Sequence, residues 1–261
     1  MMPSFFIAHG APLLAIENNI YTKFLHALGI ALPKPVAIVL FSAHWESATQ
    51  KVSDVEDFET IYDFGGFPAA LYQIKYPAKG SGLVTNKIEE VFTKNEIPFE
   101  VDNRRGLDHG AWVVLNMLYP DADIPVISMS VNPNLPPEAQ YKIGKSLSKL
   151  REENILIIGS GGTVHNFGTI KFGSENGDAD QWAVEFDQWL DRHINNWDLD
   201  TLFNYKSLAP AADLAVPPHG NEHFIPIFYA MGAADNERTG KLLHNSYRYG
   251  NLSHSVWQFG V

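Results

Sequence analysis

Three short apolar runs constrain this chain most: Ser4–Ala8, Val36–Ser42 and Asn154–Ile158. Each is rich in branched or aromatic side chains and closes into small residues or a turn, the pattern of strands buried on both faces. Ile124–Val131 adds a fourth run of the same kind. Between them lie stretches with helical spacing, near Tyr21–Leu28, Gly82–Asn95, Ala111–Leu118, Pro137–Glu153 and Gln181–Asn195. Strands alternating with helices predict an α/β fold: a single domain over residues 1–261, with a central mixed, largely parallel sheet flanked by helices. Tyr247–Val261 alternates around Gly250-Asn251 and reads as a terminal hairpin or edge strand. The Pro/Gly clusters at Pro133–Pro137 and Pro217–Gly220 fit loops within that domain.

Composition removes several function classes. The chain has 261 residues and a formal charge of −11, which argues against the clustered Lys/Arg that a nucleic-acid backbone requires. No apolar run approaches the ~20 residues of a membrane span. The start, Met1 to His9, lacks a basic region and its apolar stretch stops at a histidine, so a soluble, cytoplasmic protein is expected. Without cysteine there are no disulfides, thiolate metal sites or cysteine nucleophiles. No heptad or separate apolar face specifies an oligomeric state.

The histidines carry the chemistry. His9 follows the first strand, His44 follows the second, and His165 follows Asn154–Ile158 and Gly159-Ser160-Gly161-Gly162. Open α/β sheets bind ligands outside the carboxyl ends of their strands, where three such side chains can converge. A lone histidine after a strand is usually structural. Repetition at three strand ends, with no cysteine available, points instead to a metal held by imidazole and carboxylate. Asp108-His109-Gly110 and Glu222-His223-Phe224 add two polar pairs. His26, His193, His244 and His254 read as surface or helix-face residues.

Several blocks together resemble the class III extradiol ring-cleavage dioxygenases, in the branch of 4,5-DOPA dioxygenase-like proteins. They are Ser42-Ala43-His44-Trp45-Glu46, the run Thr60 to Pro68 with Tyr76-Pro77-Ala78, and Gly106 to Trp112. Tyr119 to Val126, Gly159-Ser160-Gly161 through Val164-His165-Asn166, and Glu222 to Pro226 continue the match in order. Two departures stand out: Gly10-Ala11-Pro12 in place of the family's Gly-Ser-Pro, and the longer Val216–Glu222 run before His223. The second bears on substrate range.

The resemblance implies an Fe(II)-dependent enzyme that inserts O2 into a catechol, DOPA-like or related. It places His9, His44 and His223 on the metal, with Glu222 as the alternative to His223. It gives His165 either a further metal contact or the acid/base role, and His109 either holds the second substrate oxygen or O2 or is a structural turn histidine. Tyr62, Asp63, Phe64 and Phe67 form either an aromatic mouth that stacks the ring or part of the core. Asn166 satisfies a turn or orients His165. Such a histidine set also accepts Zn2+, which has no redox chemistry. A zinc-dependent hydrolase, or a metal-binding interaction module without catalysis, are therefore the rival functions.

Overall fold

The runs that read as doubly buried strands are so because their side chains alternate between two separate cores. In the second strand, Ala37, Val39 and Phe41 enter one core while Ile38 and Leu40 enter the other. Ile155 and Ile157 likewise face away from Leu156 and Ile158. Each such side chain contributes roughly 1.5–3 kcal/mol on burial.

The structure is a computed structural model that describes residues 1–174 and 179–260. In chain order it contains β1 (Ser4–Ala8), α1 (Ile20–Ala31), β2 (Ala37–Glu46), β3 (Gln50–Ser53), α2 (Gly82–Lys94) and β4 (Phe99–Asp102). There follow α3 (His109–Leu118), β5 (Val126–Val131), α4 (Pro137–Ser146), β6 (Ile155–Gly161) and α5 (Gln181–Asn195). Short helices α6 (Leu199–Phe203), α7 (Tyr205–Leu208) and α8 (Ala212–Ala215) precede α9 (Pro226–Ala233) and the hairpin β7 (Gly240–Arg248) and β8 (Leu252–Phe259). Among the described residues the strands make one eight-stranded sheet, ordered β4-β3-β5-β2-β6-β1-β8-β7.

The centre of that sheet, β5-β2-β6-β1, is parallel; β8 and β7 join antiparallel beside β1, and β3 pairs antiparallel with β5. Helices α2, α4, α5 and α9 contribute side chains to one core, and α1 and α3 to the other. The expected α/β architecture is therefore present. Among the described residues, no helix is long and apolar enough to cross a membrane.

Several boundaries differ from the sequence reading. β2 runs to Glu46, because after an irregularity beyond Phe41 it pairs again with Val131, so His44 lies within the strand and not after it. The single helix expected over Pro137–Glu153 stops at Ser146 and continues as a tighter turn over Ser148–Glu153, which buries Leu147 and Leu150. The C-terminal hairpin turns at Gly250-Asn251 as expected, yet its first strand starts seven residues before Tyr247, at Gly240. Val261 lies outside the described residues.

Two of the histidines read as surface residues are not. His254 on β8 is 3% exposed and stacks on the Tyr21 ring at 4.6 Å, because β8 is flanked by β1 and β7. His244 is half-buried on β7 between Tyr21 and Phe24. His26 and His193 do lie on helices, the latter paired with Asp198 at 2.9 Å.

Gly161, the last residue of β6, shows how the fold admits the segment before α9. A Cβ there would sit 1.9 Å from the carbonyl oxygen of His223, and the neighbouring Gly162 N–H donates to that same oxygen at 2.8 Å. Gly161→Ala is thus expected to destabilise the fold by ~1–3 kcal/mol through overpacking. It should also weaken metal binding by moving His223. Thermal unfolding and a zinc titration check both, and a variant matching the wild type in each would show that this approach is not needed.

Candidate metal centre

Three imidazoles meet at the carboxyl edge of the central strands. His9 leaves β1 just before Gly10, whose positive φ of 58° turns the chain sharply away. A Cβ at Gly10 would also lie 2.7 Å from Nε2 of His254, so the turn and the packing both require glycine. His44 projects from β2, and His223 is held against β6 by the contact at Gly161. His44 Nε2 lies 3.1 Å from His9 Nε2 and 3.2 Å from His223 Nε2, and all three ligand atoms fall within 4.8 Å of one another.

The opposite ring nitrogens determine where the protons sit. Ser160 donates its hydroxyl to the Gly110 carbonyl, so its oxygen is left to accept from His9 Nδ1–H at 3.1 Å. Glu222 Oε1 accepts from His223 Nδ1–H at 2.8 Å, and Asp63 Oδ2 lies 3.3 Å from His44 Nδ1. When each Nδ1 carries its proton toward the neighbouring oxygen, the three Nε2 lone pairs face each other without a proton between them. One imidazole nitrogen offers a single in-plane lone pair and cannot satisfy two such neighbours. A cation does satisfy all three, and oxygen acceptors behind the ligating histidines are the usual support of such sites. The donor set therefore fits a transition metal that accepts imidazole.

Electrostatics agree. Burial, followed by repulsion from His44 and His223, holds His9 well below the ordinary imidazole value. Burial, then His109, pulls His44 down to about 4 despite the raising influence of Asp108 and Asp63. Burial and His44 lower His223 in the same way. The trio is neutral at pH 7 and ready to bind metal without losing protons.

This neutrality has a consequence for the metal-free protein. His9, His44, His165 and His223 are all depressed, and burial takes His254 down to about 3. In the unfolded chain each titrates near ~6.5. Between that value and the depressed one the unfolded chain binds more protons, so stability falls as pH falls, by up to ~1.4 kcal/mol per pH unit for each histidine. Chelator-treated protein is expected to lose a large part of its urea resistance between pH 7 and pH 5. A midpoint unchanged over that range would mean that these imidazoles stay solvated.

His109 opens α3, where Asp108 caps the helix by accepting from Ala111 N–H. Asp63 Oδ1 takes both the His109 backbone N–H at 3.0 Å and its Nδ1–H at 2.9 Å. Burial works against the Asp63 charge, but these bonds from His109 prevail and bring the carboxyl to about 2. His44, Asp63 and His109 form a second group able to hold a cation. His165 stacks face to face on His223, with centroids 3.5 Å apart and planes 7° from parallel. Imidazole donates in its ring plane, so two parallel rings present lone pairs side by side and not toward one point. Asn166 satisfies the turn, accepting from Gly168 N–H and donating to Leu214 O, both at 2.9 Å.

Beside this cluster lies a pocket of about 300 Å³, at the small end of ligand sites. His44, Asp63, His109, His165, Phe64 and Phe67 line it. Tyr62 does not. Its hydroxyl donates to Ile74 O at 2.7 Å and its ring packs on Trp112, which leaves it behind Phe64.

Sequence reasoning missed Phe167, Ile170, Phe172, Tyr249 and Leu252 in the lining, since they come from the loop after β6 and from the hairpin. It also missed the supports. Ser160 orients His9, while Arg105 bridges the His44 carbonyl at 2.9 Å and Asp108 at 3.1 Å. Only their position beside a histidine or a cap residue could have flagged them.

Comparisons with known proteins extend over nearly the whole chain. Residues 4–260 match the family described as the catalytic LigB subunit of aromatic ring-opening dioxygenase. The 4,5-DOPA dioxygenase extradiol of Beta vulgaris is 41% identical, over 98% of this chain and 96% of its own length. Its namesakes from Mirabilis jalapa and Escherichia coli are 37% and 36% identical, each over 99% of this chain and at least 95% of their own. The crystal structure of protein JW3007 from Escherichia coli K12 superposes with a TM-score of 0.84 at 31% identity, covering 100% of both chains. Family match, relatives and fold coincide over nearly the whole chain, and the chain belongs to the LigB family of aromatic ring-opening dioxygenases.

Proposed function

We propose that the chain is an extradiol dioxygenase that opens the ring of a catechol with O2, using iron(II) held by His9, His44 and His223. The observation that carries this reading is the meeting of the Nε2 atoms of His9, His44 and His223 beside a pocket walled by Phe64 and Phe67. In the net reaction the ring carbon–carbon bond next to the two hydroxyls breaks and both oxygen atoms enter the product. When bound, iron(II) supplies open coordination positions and the one-electron chemistry that couples a catechol to O2.

The remaining work falls to the protein. Glu222 is turned to the Nδ1 side of His223, so it orients that ring and is not itself the ligand. His165, neutral because burial and His223 lower its pKa, accepts a catechol hydroxyl proton and returns it to the opening product. Asp63 pins Nδ1–H of His109 and so leaves its Nε2 free to hold the second hydroxyl. Phe64, set edge-on to His109 at 5.6 Å, and Phe67 bound the ring and keep water away.

Anaerobic loading with Fe(II), followed by a catechol and oxygen, is expected to consume one O2 per catechol and give a yellow ring-opened product. The zinc-loaded protein should be inert. Protein carrying one iron per chain that consumes no O2 with any catechol, while its zinc form cleaves an ester or amide, would refute the assignment in favour of a hydrolase.

A further inference from the structure

We infer, resting on the catechol reading above, that the substrate of this chain carries an uncharged, apolar ring substituent and not a carboxylate-bearing side chain. Once two hydroxyls engage the imidazoles, what remains of the pocket besides Asp63 is the Gly10–Pro12 turn and the side chains of Phe64, Phe67, Phe167, Ile170, Phe172 and Leu252, with Tyr249 as an uncharged neighbour. Among the described residues, no lysine or arginine lines it. Its carboxylate, Asp63, has the wrong sign for an anionic substituent.

The cations nearby are already matched. Arg248 makes two bonds to Glu17, at 2.5 and 2.6 Å, and lays its guanidinium over the Tyr249 ring at 4.7 Å. Lys171 pairs with Asp180, and Arg105 is held by Asp108 and the His44 carbonyl. Drawing any of them toward a substrate carboxylate would leave a partner unpaired.

Phe167 and Phe172 supply the positive side of the case. They are 70% and 79% exposed, two large apolar surfaces in the lining that an apolar substituent would cover. Burying an unpaired carboxylate among such groups is strongly unfavourable. DOPA, in the name of the relatives above, bears both a carboxylate and an ammonium on its side chain, so the preference assigned here departs from that compound.

The test isolates charge from shape. The iron-loaded enzyme is given 3-(3,4-dihydroxyphenyl)propionate and its methyl ester, with 4-propylcatechol and L-DOPA as a second pair. The ester and the propylcatechol are expected to exceed the acid and DOPA by roughly tenfold or more in kcat/KM, the loss for charged compounds falling mainly on KM. Calorimetry on the zinc-loaded protein, where no turnover intervenes, should give the same order of binding. Phe172→Arg, at an exposed position that leaves the core intact, should narrow the acid-to-ester gap by about fivefold.

The inference is overturned if the acid binds or reacts as well as its ester, or if Phe172→Arg leaves the gap unmoved. A failure of the catechol reading looks different, since no compound in the panel would then draw O2.

Discussion

His44→Ala empties the metal centre. Its Nε2 is the nitrogen closest to both others, 3.1 Å from His9 and 3.2 Å from His223, so its loss leaves two imidazoles that no longer surround one point. Bound iron or zinc is expected to fall by at least ~100-fold in affinity, more than the loss of a supporting contact produces. O2 uptake with a catechol should fall to background. The fold should survive, because His44 is only half-buried at the sheet edge and a change there costs the metal-free protein less than ~1 kcal/mol.

His9→Ala should behave alike in metal content, but with some loss of stability, since His9 is 1% exposed and joins Ser160. Metal analysis after dialysis against iron under argon, beside a urea titration, separates the two effects. A His44→Ala protein that keeps one tightly bound metal per chain would remove this residue from the centre.

The parts of the site that could be read from sequence are those carried by strands. A run buried on both faces leaves an apolar signature, and the residues at its carboxyl end fall at the binding edge of a parallel sheet whatever the rest of the chain does. His9 and His44 are legible for that reason. His223 is not, because no strand precedes it. It reaches the trio through the glycine at 161; the sequence marks it only as part of a polar pair, and its place on the metal came from the resemblance. Pairings across long separations, such as Asp63 with His109 or Arg105 with the His44 carbonyl, depend on the fold and leave no local trace.

Phe167 and Phe172 stand in the segment between β6 and α5, outside any strand or helix signal, and His254 stands between Ser253 and Ser255. In the sheet those serines are buried too: Ser253 bonds Thr163 and Asp187, and Asp187 is buried among hydroxyls of Thr163, Tyr247 and Ser253. Polarity in sequence was here a sign of a satisfied interior and not of solvent.

His165→Gln separates proton transfer from metal binding. The ring stacks parallel on His223 and lies outside the group of His9, His44 and His223, so removing it takes no donor from the point where the three Nε2 atoms meet. Metal content is therefore expected to stay near one per chain. Glutamine keeps a polar side chain in the pocket but cannot accept a proton at neutral pH, and general acid–base groups contribute ~10²–10⁴-fold to rate. Turnover of a catechol should drop by about that factor, chiefly in kcat, with KM changed little. The rate of the wild-type enzyme should also fall as pH drops and His165 gains a proton, since only the neutral imidazole can act as the base, and the variant should lack that limb of the profile. Loss of metal in step with activity would instead make His165 a fourth ligand. Retention of both metal and rate would leave the proton on another group, with His109 next in line because Asp63 already holds its tautomer.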